Sequence, residues 1–223
     1  MPALETIPSL DQALIGDPLR AAWEFAACAE RLGSIRGYLA DIEGFALMLL
    51  ARSGPGQGAV VEIGSFLGKS TAWLALGALH GGRGRVTAVD PFTGSPEHQR
   101  GGRNEEPEIV ARGTTRPRFE QNLRDAGLRE AVDIIEARST DAAARWSGPI
   151  RLLFIDGDHS EEASRADFEA WLPHAAPGGL VAFHDVGVWA GVTRFYEALM
   201  ADPASGVRGL FAVGSLRVVQ RVA

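Results

Sequence analysis

The sequence predicts an α/β protein: a doubly wound, mostly parallel seven-stranded sheet, preceded by extra helices and closed by an antiparallel hairpin. Three observations carry that expectation. Short β-branched or aliphatic runs alternate with segments of helical period along most of the 223 residues, the order of a sheet wrapped by crossover helices. The first run turns at Gly64 into a helix and returns as a second run, a βαβ unit with parallel strands and a right-handed crossover. Acids stand at the ends of successive runs, at Glu62, Asp90, Glu136 and Asp156, and His184-Asp185 ends the next. Open α/β sheets bind their ligands along that carboxyl edge.

Taken in order, Pro18 to Leu32 and Ile35 to Ala51 place Trp23, Phe25, Leu39, Phe45 and Leu49 at helical spacing and read as two helices. The Gly54-Pro55-Gly56-Gln57-Gly58 stretch stops the second and delivers the chain to a strand over Ala59 to Ile63. Trp73, Leu74, Leu76 and Leu79 mark the crossover helix, and Arg85 to Val89 the second strand. From Pro91 to Arg116 the periodicity dissolves into Gly, Pro, Arg, Glu and Asn, so residues 91–116 are expected to form a mobile lid over the ligand edge. A helix through Phe119, Leu123 and Leu128 leads to a strand over Val132 to Glu136. The run Arg151 to Ile155 is a buried strand, Glu161 to Leu172 a helix, Pro177-Gly178-Gly179 a turn, and Leu180 to Phe183 the next strand. Gly191 to Met200 is helical, and Val207 to Val213 with Leu216 to Val222 form the hairpin around Gly214-Ser215.

With 46% hydrophobic residues the chain is expected to build one core, a single domain over 1–223 with its extra helices in 1–55. A formal net charge of −6 argues against a phosphate-backbone footprint, so no nucleic acid is expected as a partner. Cys28 is the one cysteine, which excludes an internal disulfide framework and a multi-cysteine zinc site. No leader pattern and no membrane-length apolar run stand out, so the expectation is a cytoplasmic protein without a membrane partner.

The turn after the first strand narrows the ligand. A dinucleotide fingerprint needs Gly-x-Gly-x-x-Gly, and Phe66 stands where its second glycine belongs; a P-loop needs four residues between its glycines, and Gly64 to Gly68 encloses three. What remains is Glu-x-Gly-x-x-x-Gly, which resembles motif I of the class I S-adenosylmethionine-dependent methyltransferases. The resemblance implies a Rossmann-like fold and S-adenosylmethionine as cofactor. It implies contacts from Glu62, Gly64, Ser65, Phe66, Gly68 and Ser70, from Asp90 on the ribose, from Ser139 near the adenine, and from Asp156. Arg138 stands where many such enzymes carry an acid. Glu62 reads equally as an anchor for its own turn or as a partner of the methionine amine. The βαβ unit and Asp90 also suit an NAD(P)-dependent oxidoreductase, which Phe66 opposes, and a non-catalytic S-adenosylmethionine-binding protein is a further alternative.

The set Phe154-Ile155-Asp156-Gly157-Asp158-His159-Ser160, Asp167-Phe168, Pro177-Gly178-Gly179 and Phe183-His184-Asp185 is similar to the metal-assisted small-molecule O-methyltransferases, the catechol, caffeoyl-coenzyme A and macrocin-type enzymes. That similarity runs over about residues 43–189 and implies a divalent metal, Mg²⁺ or Mn²⁺, on Asp156, His184 and Asp185. His184 departs from the acid or amide usual there, and an imidazole shifts preference toward Mn²⁺, Fe²⁺ or Zn²⁺. A cation on a hydroxyl lowers its pKa and orients it for methyl transfer. Asp158 and His159 are the base candidates, against the alternative that His159 and Ser160 only cap the following helix. The partners expected are a small hydroxylated acceptor, such as a sugar, polyphenol or natural-product intermediate, and further copies of the chain in a homo-oligomer.

Overall fold

The computed structural model describes residues 18–222, so positions 1–17 of the expected N-terminal segment and Ala223 lie outside the described residues. Helices α1 (Pro18–Leu32) and α2 (Asp41–Ser53) come first. They are followed by β1 (Ala59–Ile63), α3 (Lys69–His80), β2 (Val86–Val89), the short α4 (Pro107–Arg112), α5 (Arg116–Asp125) and β3 (Val132–Ile135). Then come the short α6 (Ser139–Ala143), β4 (Ile150–Ile155), α7 (Glu161–Trp171), β5 (Ala175–Phe183), α8 (Ala190–Ala201), β6 (Val207–Val213) and β7 (Leu216–Arg221). The sheet order is β3-β2-β1-β4-β5-β7-β6. Strands β1 to β5 run parallel, and β7 is antiparallel to both β5 and β6. The order reverses between β1 and β4, and the crevice at such a switch point is the natural ligand site.

Alternation along each parallel strand divides the apolar side chains between two layers. Val60, Leu152 and Phe154 face a core shared with Leu47, Met48, Trp73, Phe119 and Leu123. Val61, Leu153 and Ile155 face the other, with Phe168, Trp171, Phe195 and Leu199. Arg151 lies within β4 at 1% exposure. Its guanidinium donates to the carbonyls of Leu50 and Ala51, satisfying the C-terminal end of α2, and burial lowers its pKa to about 10. Among the described residues, no helix is long and apolar enough to cross a membrane.

Four details depart from expectation. Helix α2 begins at Asp41 rather than Ile35, because Gly33, Ser34 and Gly37 disfavour an earlier start and the Ala40 amide donates to the Glu43 carboxylate at 2.9 Å. The 91–116 segment contains a 3-10 turn at Pro96–His98 and helix α4. Isolated buried anchors, Phe92, His98, Glu106, Ile109 and Thr115, pin it without any periodicity that a sequence window detects. Strand β5 begins at Ala175, so Pro177-Gly178-Gly179 interrupts the register within the strand instead of preceding it. Helix α6, five residues long, is too short to announce itself.

Helices α2 and α3 pack closely where Gly77 meets the backbone of Met48; a Cβ there would lie 2.1 Å from the Met48 carbonyl oxygen. Gly77→Ala is therefore expected to separate the helices and cost about 1–3 kcal/mol. Urea unfolding checks this, and an unchanged midpoint would contradict the packing argument.

Candidate active site

At the carboxyl edge, the ends of β1, β2, β3, β4 and β5 open into a cleft of about 1080 Å³. The β1–α3 turn forms one wall. Gly64 has φ 85°, and a Cβ on it would lie 2.0 Å from the Asp156 carbonyl oxygen, so only glycine lets the turn cross over the end of β4. Phe66 takes a left-handed φ of 49°, a conformation costly for an aromatic residue and found where surroundings enforce it. The enforcing group is Asp90. One of its carboxylate oxygens accepts from the amides of Ser65 and Phe66, both at 2.7 Å, and the other from the Phe92 amide at 2.5 Å. Burial raises the Asp90 pKa against those three donors. The carboxylate expected on a ribose is thus largely committed to shaping the turn.

Glu62 takes the first of the two roles that the sequence left open. It is fully buried beneath the turn, does not line the cleft, and accepts a hydrogen bond from the Thr71 hydroxyl. Burial pushes its carboxyl up to about 7 although the Ser70, Thr71 and Ser65 hydroxyls pull the other way. This is the anchor geometry, in place of a direct contact with a cofactor amine. Gly64, Ser65, Phe66 and Ser70 line the cleft, whereas Gly68, at φ 89°, starts α3 behind it against Phe119. The Phe66 ring stacks on His98 at 4.6 Å. Buried polar atoms of His98 and Thr115 have no protein partner at this end of the cleft, a surrounding that suits a hydroxyl-rich ligand.

Adjacent strands β4 and β5 bring Asp156, His184 and Asp185 together, their ligand atoms within 4.8 Å of one another. His184 Nδ1 is 3.0 Å from Asp156 and 3.6 Å from Asp185. Its Nε2 is 3.2 Å from Glu43, a residue that sequence reasoning missed. Glu43 also accepts from the Ala40 amide and from the amide and hydroxyl of Ser215, at 2.9, 2.6 and 2.8 Å. Burial opposes its charge, but the His184, Ala40 and Ser215 hydrogen bonds prevail and bring its pKa down to about 2. Burial likewise opposes charge on His184, yet Asp156, Asp185 and Glu43 push it up to about 12. Asp185, at φ 63°, is held below the usual carboxylate range: burial works against its charge, and hydrogen bonds from His159 and His184 outweigh it. No sequence signal separated Glu43 from an ordinary acid in the first turn of a helix.

His159 is not poised as a free base. Its Nδ1 is 2.7 Å from Glu97 and its Nε2 3.0 Å from Asp185, and the ring stacks on Trp189 at 4.4 Å. Burial disfavours its charge, but Asp185, Asp156 and Glu97 overcome that and raise its pKa, and each ring nitrogen faces a carboxylate. Asp158 lines the cleft and accepts from the Ser160 amide at 2.9 Å. Ser160, not His159, caps α7, through the Ala163 amide. Ser139 also lines the cleft, its hydroxyl accepting from Trp171 Nε1 at 2.9 Å.

The chain matches known proteins along most of its length. A family model described as a methyltransferase domain matches residues 61–186. The chain is similar to a catechol O-methyltransferase of Mycobacterium tuberculosis, 32% identical over 207 residues that cover 92% of this chain and 81% of the relative. It is also similar to an uncharacterised protein of Sinorhizobium fredii, 34% identical over 96 residues, 42% of this chain and 9% of that much longer protein. Among solved structures it resembles an O-methyltransferase of Bacillus cereus in complex with SAH, with a TM-score of 0.58, 22% identity and coverage of 97% and 94% of the two chains. These matches set aside the oxidoreductase alternative. The chain belongs to the methyltransferase domain family and has the fold of the class I S-adenosylmethionine-dependent O-methyltransferases.

Proposed function

We propose that this chain, folded as a single domain over 1–223, transfers the methyl group of S-adenosylmethionine to a hydroxyl of a small molecule carrying neighbouring oxygens, assisted by a divalent cation. The observation that carries this is the convergence of Asp156, His184 and Asp185 at one end of the cleft. Three donors leave coordination positions for acceptor oxygens. The residues fit a cation: Asp156 and Asp185 supply hard oxygens, and Glu43 holds Nε2 of His184, which turns Nδ1 toward both carboxylates. An imidazole held by a carboxylate on its far nitrogen is the usual support of a metal-ligating histidine. A proton and a cation compete for that nitrogen, so cation uptake should release protons.

The cofactor, when bound, supplies a methyl group on a sulfonium, a reactive electrophile that leaves as a thioether. A cation, when bound, makes the acceptor hydroxyl more acidic. The protein's own contribution is placement and proton removal. The Gly64–Phe66 turn, fixed by Asp90, shapes the wall for the methionine part, with Ser65 and Ser70 beside it. Asp158, in the cleft and two residues past Asp156, is placed to accept the hydroxyl proton. His159, clamped between Glu97 and Asp185, orients both carboxylates. Residues 91–116 form the lid, with Arg103 packed 5.2 Å over Trp189 at the acceptor side. We place the enzyme in the cytoplasm, with no nucleic-acid partner and with further copies of the chain as its expected assembly partner.

Chelation is expected to abolish methyl transfer across a hydroxylated panel while leaving S-adenosylmethionine binding intact by calorimetry, with Mn²⁺ or Mg²⁺ restoring transfer. Asp156→Asn and Asp185→Asn should behave like the chelated enzyme. Full activity in chelator would refute the role of the cation and leave Asp158 to act without one.

The buried Glu43 charge predicts a pH effect on stability. Its folded pKa, about 2, lies below its ordinary 4.5, so its stabilisation is complete above about 4.5 and is lost as pH falls toward 2. Glu43→Gln should lower the melting temperature at neutral pH and narrow that deficit between pH 4.5 and 2. A deficit constant over that range would show that the charge contributes nothing.

A further inference from the structure

Asp167 has no role in the account above, and its surroundings call for one. It is 8% exposed, sits on α7, and among the described residues no cation pairs with it. Burial pushes its pKa up to about 6, opposed by a hydrogen bond from Ser139. That hydroxyl already accepts from Trp171 Nε1, so its own proton is free to point at Asp167. A carboxylate has about four acceptor sites, and a single hydroxyl leaves most of them unmet. A buried acceptor with so little compensation is costly unless a ligand completes it.

The position is suited to a flat ring. Ala163, Ala166 and Asp167 follow one another at helical spacing along one face of α7, and all three line the cleft with Arg138, Ser139 and Gly157. The two alanines offer only methyl groups, which leaves width for a planar heterocycle. Asp167 Oδ2 lies 2.9 Å from where a Cβ on Gly157 would stand, so the carboxylate overhangs the turn after β4. Arg138, at the end of the β3 loop, supplies no acceptor. The acceptor at this end of the cleft comes instead from the next crossover helix.

We propose that Asp167 reads the exocyclic amine of the cofactor's adenine, with Ser139 positioning the carboxylate. The proposal rests on the S-adenosylmethionine reading of the cleft. It makes the site selective for a 6-amino purine over a 6-oxo purine, because an amine donates to the carboxylate whereas a carbonyl oxygen in its place is repelled.

Calorimetric titration with S-adenosylhomocysteine and with S-inosylhomocysteine tests it. The wild-type protein should prefer the adenosine compound by about 10- to 100-fold, the worth of a hydrogen bond to a charged acceptor. Asp167→Asn keeps the shape and can turn an amide N–H toward a 6-oxo group, so the preference should collapse to near parity or reverse. If Asp167 only braces Ser139 and the Gly157 turn, the variant will weaken both ligands equally, and an unchanged ratio in a folded variant overturns the proposal. So does a wild-type ratio near one. Failure of both compounds to bind the wild-type protein would instead overturn the cofactor reading itself, and the inference with it.

Discussion

The Glu43 carboxylate is the interaction on which the chemical end of the molecule depends. It joins the start of α2 through Ala40, the β6–β7 turn through Ser215, and the end of β5 through His184. His184 in turn sets its distance from Asp156 on β4. Each group is expensive to bury alone. Together they are mutually compensated, and the penalty for removing one member is mostly the penalty of leaving the others unpaired. Helix α2 is thus part of the site, because it supplies the acid that orients a strand-end histidine.

A second set of constraints comes from carboxylates that bind backbone. Asp90 fixes the amides of Ser65, Phe66 and Phe92, and through them a left-handed Phe66. Glu62 fixes the first turn of α3 through Thr71. Non-glycine residues with positive φ gather at these places, Phe66 and Phe92 flanking Asp90 and Asp185 ending β5. Such strain persists only where the surroundings enforce it. The acids at the strand ends therefore divide the work: two shape the walls of the cleft, and Asp156 and Asp185 face its interior.

Much of this was legible in the chain. The parallel strands and the ligand edge follow from apolar periodicity and from acids recurring at strand ends, which are local signals, and the grouping of Asp156 with His184 and Asp185 follows from the resemblance to the metal-assisted enzymes. Glu43 and Asp167 were not legible as site residues. Each is an acid on an amphipathic helix, and only the rotation of that helix against the sheet decides whether it meets water or the cleft. Asp90 stands at the edge where the second strand ends, but spacing carries no information on how many backbone amides claim a carboxylate. His159 was expected to be basic for its intrinsic pKa, and that expectation could not foresee Glu97, which is remote in sequence and arrives from the lid.

The charge inventory at the cleft bears on the cofactor and on the proposed cation together. Glu43, Glu97, Asp156 and Asp185 surround His159 and His184. The four carboxylates outnumber the two imidazoles, and Asp158 stands beside them in the cleft. A low-dielectric cleft focuses such a field. It favours the sulfonium over the neutral thioether that remains after transfer, so the same carboxylates that draw the cofactor in hold its product less tightly. It also disfavours an ionised acceptor in the absence of a compensating positive charge. A cation held by Asp156, His184 and Asp185, as proposed above, would reverse that bias.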